Sequence, residues 1–343
     1  MQDVAFEAGV SSATVSRVLA GLKAGTSEAT ALHVLQTARQ LGYVVNSVAA
    51  SLRKEKTYSV GLILADIANP FFAGLARGVE DTLRPEGFSI LLANTDNNVE
   101  EETRLLRLMM EKQVDAVIMS SSASTNDHIL SAMAHGLQII LVDSEIKDTA
   151  VDTIVVDNQQ GAQNAIDYLI RQGHENIAIV TGSLQASFDQ ERLAGYYDAY
   201  SARGLTVPEH LIFSSDSTYE GGRRAVKSLL QNNRDISAFF ITNNLMTMGT
   251  ITELVEQGFV IPDDFSLVGF DDMEWYSIFK PAITAIRQPI YQLGRIAAER
   301  LLKTLSADIP PSPERIVLNT ELLLRNSVAP RSFQLDISPQ EKK

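Results

Sequence analysis

Residues 3–19 read Asp-Val-Ala-Phe-Glu-Ala-Gly-Val-Ser-Ser-Ala-Thr-Val-Ser-Arg-Val-Leu, and this stretch decides the fold of the N-terminal part of the chain. Apolar residues recur at helical spacing on both sides of Gly9, which suits a tight turn, and Ser11 suits the N-cap of a second helix. The residues placed to pack these helices together are Ala5, Val10, Val15 and Val18. We therefore predict a helix-turn-helix; the alternative is an ordinary helical hairpin on a larger fold.

The predicted second helix leaves one face uncovered. That face carries Ser12, Ala13, Ser16 and Arg17. Short side chains let a helix enter the major groove of DNA, and an arginine can pair with guanine or with phosphate. A third helical pattern over 30–41 completes an all-α head, which we place at residues 1–44.

The composition bounds the class of protein. The chain has 343 residues, of which 45% are hydrophobic and 21% charged, as expected for a globular protein with more than one core. It has no cysteine, and its five histidines form no close ligand pair, so we expect neither disulfides nor a metal or other cofactor. Neither a run of eighteen apolar residues nor a signal peptide occurs, which predicts a cytoplasmic protein with no membrane partner.

The charge is unevenly distributed along the chain. The overall charge of -13 argues against nucleic acid as a partner, because phosphate neutralisation needs Lys and Arg. Up to Lys56, however, six Lys or Arg stand against four Asp or Glu, so the acidic excess lies in the remainder. This asymmetry fits a small DNA-binding head on an acidic body.

From Tyr58 onward, short apolar β-type runs alternate with amphipathic helical patterns. Such alternation is typical of an α/β fold whose parallel sheets are covered by helices on both faces. Two such sheets in series predict two similar lobes with a cleft between them, at the carboxyl ends of the strands, where ligands bind. The predicted strands are 59–64, 89–93, 116–119, 139–142, 154–156, 177–180, 211–213, 238–241 and 266–270.

Motifs along nearly the whole chain resemble those of the lactose/galactose repressor family of bacterial transcription regulators. Besides residues 3–19 they are Leu41-Gly-Tyr43, Asn46, 49–53 (Ala-Ala-Ser-Leu-Arg), 66–72 (Asp-Ile-Ala-Asn-Pro-Phe-Phe), 114–118 (Val-Asp-Ala-Val-Ile), 173–178 (Gly-His-x-x-Ile-Ala), 192–195 (Arg-Leu-Ala-Gly), 267–272 (Leu-Val-Gly-Phe-Asp-Asp) and 287–289 (Arg-Gln-Pro).

The resemblance implies a domain organisation. A hinge helix or linker at 45–57 would join the head to a two-lobed, periplasmic-binding-protein-like core at 58–335, built on two parallel doubly wound sheets, with a tail at 333–343. The core would bind an effector and form the dimer. Its N-lobe would hold about 58–157 plus 289–318, and its C-lobe about 158–287 plus 319–332.

The resemblance also implies a homodimer on palindromic double-stranded operator DNA. The helix from Ser12 to Leu19 would lie in the major groove, with positions 12, 13 and 17 toward bases and positions 14 and 16 toward phosphates. Leu52 would enter the minor groove and kink the operator; the alternative is a linker residue packed on the core. The DNA-binding residues implied are Ser12, Ala13, Thr14, Ser16, Arg17, Asn46, Ala49, Leu52 and Arg53.

A few positions depart from the family's usual pattern. Ala31 and Ala50 stand where the family usually has Arg, and Val45 replaces a usual Pro. The loss of cationic contacts predicts weaker DNA binding with a flatter salt dependence. Asn244 stands where Asp is usual, so residues 243–244 match the family's pattern only in part, and so do the roles that the resemblance implies for them.

The effector-binding residues that the resemblance implies are Phe71, Phe72, Ser121, Asp143, Arg192, Asn243 and Asp271. We expect one of the two phenylalanines to face the cleft and the other to join the core. Arg192 would clamp ligand hydroxyls or a carboxylate; the alternative is a surface arginine. Asp271 would accept ligand hydroxyls, while the adjacent Asp272 points away, so a catalytic carboxylate pair is not expected.

Two small residues bear on the class of ligand. Ser144 and Ser217 occupy places where purine-binding relatives carry aromatic side chains. This difference favours a carbohydrate or related polyol over a nucleobase.

Three functions remain to be compared. An effector-controlled transcription regulator, most simply a repressor, explains the head, the hinge and the two-lobed body together, with the effector either an inducer or a corepressor. A solute-binding protein for uptake shares the two-lobed fold but needs export. An enzyme is disfavoured because the chain has no G-x-G-x-x-G after the first strand, no P-loop motif and no Ser/His/Asp elbow.

Overall fold

The computed structural model describes residues 1–19, 25–43, 56–146, 148–232 and 235–331. The chain divides into two compact units, Met1–Tyr58 and Ser59–Lys343. The predicted DNA contacts at Asn46, Ala49, Leu52 and Arg53 lie outside the described residues, as does the tail 333–343. Within the described ranges, no helix is long and apolar enough to span a bilayer.

The first unit is all-α. Its described helices are α1 (Gln2–Glu7), α2 (Ser12–Leu19) and α3 (Glu28–Gln40). Gly9 turns the chain between α1 and α2 with a φ of 62°, and the Ser11 hydroxyl accepts the Thr14 amide at 3.1 Å to begin α2. The predicted helix-turn-helix is confirmed.

The third helix of the head begins earlier than predicted. It starts at Glu28 instead of residue 30, because the Ser27 side chain accepts the Thr30 amide at 3.1 Å. The three helices bury a small apolar core, made of Val4, Ala5, Ala8, Val15, Val18, Val34 and Ala38.

The N-lobe of the second unit is built on a parallel sheet of six strands, in the order β11-β5-β4-β3-β1-β2. Its strands are β1 (Ser59–Leu64), β2 (Ser89–Asn94), β3 (Ala116–Met119), β4 (Gln138–Val142), β5 (Asp152–Val156) and β11 (Arg315–Leu318). Its helices are α4 (Pro70–Leu83), α5 (Val99–Glu111), α6 (Asp127–Ala134) and α12 (Ile290–Ser306).

The C-lobe is built on a second six-stranded sheet, in the order β12-β10-β9-β8-β6-β7. Its strands are β6 (Ile177–Thr181), β7 (Ile212–Ser214), β8 (Ala238–Ile241), β9 (Ser266–Phe270), β10 (Thr284–Arg287) and β12 (Glu321–Leu323). Its helices are α7 (Asn158–Arg171), α8 (Ser187–Ser201), α9 (Tyr219–Asn232), α10 (Asn244–Glu256) and α11 (Glu274–Ile278).

The central strands of both sheets are continuous apolar runs. Every residue of β3, β6, β8 and β9 is buried, since helices cover both faces of each sheet. The α/β fold with two lobes and mainly parallel sheets is therefore confirmed. One strand differs from the expected parallel arrangement: β12 runs antiparallel to β10.

The chain passes between the lobes near residues 157, 288–289 and 319–320. Two of these passages are bound to each other, because the Asp157 carboxylate accepts the Thr320 amide at 2.6 Å. Gln288 lies on the remaining passage, between β10 and α12. The sequence patterns missed the short strands β10, β11 and β12; of these, β11 and β12 form where the chain has crossed back from the other lobe.

Candidate functional site

The first candidate site is the outer face of α2. Val15 and Val18 are buried in the head, and this orientation turns Ser12, Ala13 and Arg17 outward, where all three are exposed. Thr14 and Ser16 lie at the margin and are partly buried.

The arginine on this face lies back along its own helix. The Arg17 guanidinium is 3.4 Å from both the Ala13 carbonyl oxygen and the Thr14 hydroxyl. Both contacts are long for hydrogen bonds to a charged donor, so the side chain is free to extend toward a base or a phosphate.

The second candidate site is a cavity between the two lobes of the core. It contains about 560 Å³ of empty space, its open mouth included. Both lobes contribute to its wall: Ala65, Asp66, Asn69, Phe71, Phe72, Asn97 and Asp143 from the N-lobe, Phe188, Arg192, Ser217, Thr218, Asn243, Leu245 and Asp271 from the C-lobe, and Gln288 between them.

Strand ends place the polar residues of this wall. Asp66 follows β1, Asp143 follows β4, and Asp271 directly follows β9, so the carboxyl ends of both sheets meet at the cavity. Asp143 and Asp271 have left-handed backbones, with φ of 66° and 68°. This conformation is uncommon for residues other than glycine and is tolerated best by Asn and Asp.

The two phenylalanines begin α4. Pro70 opens the helix, and the Asn69 side chain accepts the Phe71 amide at 3.0 Å. The rings of Phe71 and Phe72 meet edge to face, with centroids 5.1 Å apart, and both are buried and both line the cavity. The expected division into one cleft residue and one core residue is therefore wrong, because each ring does both.

Arg192 is not a surface residue; it is held rigidly in the cavity wall. It lies in the second turn of α8 and is 3% exposed. Its Nε donates to Asn158 Oδ1 at 2.9 Å and its Nη1 to the Thr242 carbonyl oxygen at 2.6 Å. The guanidinium carbon also lies 3.9 Å from the centroid of the Phe270 ring.

Three buried carboxyl groups surround this arginine. Burial raises the pKa of Asp143 to about 7; Arg192 opposes the rise, and Asp271, Asp189 and Glu191 add to it. Burial also raises the pKa of Asp189 and of Asp271, and Arg192 again opposes the rise. Burial therefore favours the protonated form of each carboxyl group, and the charge of Arg192 favours the ionised form.

Asp189 was missed by the sequence analysis. Its Oδ1 accepts the Gly182 amide and the Thr242 hydroxyl, both at 3.1 Å. A signal was available, since Asp189 stands three residues before Arg192 and residues at this spacing are neighbours on a helix.

Asn243 lines the cavity, but local contacts already use its side chain. Its Oδ1 accepts the Met246 amide at 2.7 Å, which caps α10, and its Nδ2 donates to the Ser217 carbonyl oxygen at 3.0 Å. Asp272 points away from Asp271, as expected, and pairs with Arg325 at 2.6 Å.

Ser121 is not part of the cavity wall, so the structure corrects its expected role. Its hydroxyl donates to Glu102 Oε2 at 2.6 Å, and its amide donates to the Ser144 hydroxyl at 2.7 Å. Burial alone would raise the pKa of Glu102, but hydrogen bonds from His128, Ser121 and the Ser122 amide lower it. Ser121 therefore belongs to a buried cluster around Glu102.

Comparison with known proteins agrees with both units. Residues 1–46 match the family described as bacterial regulatory proteins, lacI family, and residues 57–319 match periplasmic binding proteins and sugar binding domain of LacI family. Catabolite control protein A of Priestia megaterium is 36% identical over 320 residues, which cover 92% of this chain and 96% of the relative.

Solved structures give the same result. The transcriptional regulator CelR in complex with cellobiose superposes with a TM-score of 0.73 at 31% identity, covering 95% of this chain and 98% of that chain. A LacI family regulator of Enterococcus faecium with bound ribose superposes with a TM-score of 0.71 at 28% identity, covering 80% and 100%.

A helix-turn-helix head followed by a two-lobed core defines a DNA-binding transcription regulator. The chain belongs to the LacI family of bacterial regulators.

Proposed function

We propose that the chain is a cytoplasmic repressor whose operator affinity is controlled by a sugar or related polyol bound between the lobes. The observation that carries the proposal is the cavity itself, whose wall combines three aromatic rings with carboxylate, amide and guanidinium groups from both lobes. Such a wall suits a ligand with many hydroxyl groups and apolar C–H faces. No catalytic role and no cofactor are part of the proposal.

Contacts across the cavity support control by lobe closure. The side-chain nitrogen of Asn244 donates to Asn69 Oδ1 at 2.8 Å. The backbone N–H of Glu145 donates to the Ser187 hydroxyl at 2.8 Å. Each of these bonds joins the N-lobe to the C-lobe. A ligand that prefers one lobe arrangement changes the population of that arrangement, and its coupling to DNA is reciprocal.

Two further observations support a sugar over a nucleobase. The wall position at residue 217 is a serine, which leaves room but offers no aromatic ring for stacking. Two structural relatives are described with cellobiose and with ribose. Ser144 does not support this argument, because its hydroxyl oxygen already accepts a hydrogen bond from the Ser121 backbone amide.

The test is a mobility-shift assay on palindromic DNA from upstream of the chain's own gene, with a panel of neutral and amino sugars added. The full chain is expected to shift one such fragment at low salt. One sugar is expected to change the apparent operator affinity by about 5- to 150-fold, upward for a corepressor and downward for an inducer. Failure to shift any palindromic fragment, even at low salt, would contradict the DNA-binding proposal.

We also propose that the working form is a homodimer, because a palindromic operator pairs two recognition helices by two-fold symmetry. The outermost strand β2 leaves Leu92 44% exposed at an unpaired sheet edge, where a second copy can cover it. Light scattering at micromolar concentration is expected to give a dimer, and Leu92→Lys is expected to weaken it.

Leu130→Lys is the matched control, since Leu130 is 42% exposed on α6 of the same lobe. It should leave the dimer unchanged. A tetramer, or a stable monomer of the unmodified chain, would count against the proposal.

A further inference from the structure

Around the cavity, several buried hydrogen-bond acceptors lack a donor. Four buried side-chain oxygens at or beside it have no partner in the described part of the chain. They are Asp143 Oδ1, Asp189 Oδ2, Asn244 Oδ1 and Gln288 Oε1. All four are acceptors, and an unsatisfied buried acceptor is costly. Asp143 and Gln288 belong to the cavity wall, so a ligand is expected to supply donors to these two.

The two amide groups among these four have a fixed orientation. Asn69 Oδ1 already accepts the Phe71 amide, so Asn244 must present its nitrogen to that oxygen, which leaves its own Oδ1 unpartnered. Gln288 presents its Nε2 to the Asp271 carboxylate at 2.5 Å, which leaves its Oε1 unpartnered. Rotating either amide would place two acceptors against each other.

The charges around the cavity are also one-sided. Asp143, Asp189 and Asp271 stand against Arg192, and the recorded hydrogen bonds of Arg192 go to the neutral Asn158 and Thr242. Among the described residues that line the cavity, Arg192 is the sole cation. Such a wall disfavours phosphate or carboxylate groups on the ligand and favours a positive charge.

Asp189 lies behind the cavity wall, against Ser217. A Cβ placed on Gly182 would lie 2.1 Å from the Ser217 hydroxyl oxygen and 2.3 Å from Asp189 Oδ2, so these two oxygens are neighbours. Ser217 lines the cavity. The unpartnered carboxylate oxygen therefore lies directly beside the wall, and the lack of a side chain at residue 182 leaves it that space.

A metal ion does not fit this arrangement. No three His, Cys, Asp or Glu side chains of the described ranges converge closely enough to hold one. Asp143 and Asp271 line the wall together with the neutral acceptor Gln288, which matches an organic cation that also has hydroxyl donors.

We infer that the ligand of this cavity is a hydroxylated amine, an amino sugar or amino polyol, whose ammonium group is held by Asp143 and Asp271, both of which line the wall. The hydroxyl groups of the ligand donate to Gln288. This inference rests on the proposed function and narrows its ligand class from sugars and polyols in general to those that carry an amino group.

Proton release follows from this binding mode. Asp143, whose pKa is about 7, faces Arg192, Asp271, Asp189 and Glu191 and is partly protonated near neutral pH. A bound ammonium favours the ionised carboxylate and lowers its pKa, so protons leave on binding. A neutral sugar adds no charge and gives no such release.

The experiment is titration calorimetry of the full chain at pH 6.5 with matched ligands. The probes are D-glucosamine, D-galactosamine and 1-amino-1-deoxy-D-glucitol, each beside its neutral parent and its N-acetyl derivative. At least one amine is expected to bind about tenfold or more tightly than both neutral forms. Its apparent binding enthalpy is expected to vary with the ionisation enthalpy of the buffer, as proton release requires.

Asp143→Asn tests the carboxylate that lines the wall and has an unpartnered oxygen. Asparagine tolerates the left-handed backbone of residue 143 and replaces the carboxylate with a neutral group. The preference for the amine is expected to fall toward unity, while Asp263→Asn, at an exposed C-lobe carboxylate, keeps it. If the variant does not fold, the inference is tested on the unmodified chain, by the affinity of each amine against those of its neutral parent and its N-acetyl derivative.

The remaining outcomes separate the two proposals. A neutral parent that binds as tightly as its amine, or more tightly, overturns the cationic ligand and leaves the sugar-controlled repressor standing. If neither neutral nor amino forms bind and no sugar alters the mobility shift, both proposals are overturned.

Discussion

Arg192→Ala is expected to abolish the effect of the ligand on operator binding and to lower the free energy of unfolding of the core by about 1–3 kcal/mol for each buried acceptor that loses its donor. The guanidinium lies among three buried carboxylates and donates to Asn158 and Thr242. Its removal leaves those carboxylates without their cation and two acceptors without their donor. Thermal unfolding and mobility shifts with and without ligand measure both effects.

Arg104→Ala is the control for this change. Arg104 pairs with Glu101 on the surface of α5 and is 60% exposed, so its loss should change stability by less than about 1 kcal/mol. The helix-turn-helix belongs to the other unit, so operator binding by Arg192→Ala should persist at temperatures where the core stays folded. A ligand response that survived the substitution would show that the cavity is not the effector site.

Arg17→Ala is expected to weaken operator binding by about 1–3 kcal/mol, while ligand binding by the core stays unchanged. Arg17 is the exposed cation of α2, and its present contacts are long and easily exchanged for contacts with DNA. Dissociation constants measured over a salt series and over operator variants test the change. Relaxed preference at one base pair indicates a base contact, and a salt slope reduced by about one indicates a phosphate contact.

Arg39→Ala provides the matched control in the same unit. Arg39 is exposed in the last turn of α3 and carries the same charge without lying on α2. Arg39→Ala is expected to lower operator affinity less than Arg17→Ala does. Equal effects of the two substitutions would argue against a specific role for Arg17 and for a general electrostatic one.

The sequence predicted part of the wall of the cavity between the lobes. Six of the seven expected side chains line it, because strand ends and one helix start place them and both features are readable from local patterns. Ser121 is the exception. Its partner Glu102 lies 19 residues away on α5, and the packing of α5 against the strand β3 decides that contact.

Asp189, in contrast to Ser121, is a residue that the sequence analysis missed. Its spacing from Arg192 was visible, but its burial and its contacts with Gly182 and Thr242 arise only when β6, β8 and α8 assemble. The bond between Asn69 and Asn244 is a further example, since 175 residues separate the two side chains. Such pairings depend on how the lobes meet, which residue spacing along the chain does not encode.

The sequence by itself determined the helix-turn-helix, the strand–helix alternation and the residue types at the strand ends, because caps, turns and periodicity act between near neighbours. The tertiary structure alone decided the places of β11 and β12, the withdrawal of Ser121 from the cavity and the surplus of acceptors around Arg192. These features depend on burial and on hydrogen-bond partners brought together across both lobes, so they appear only after the chain has folded.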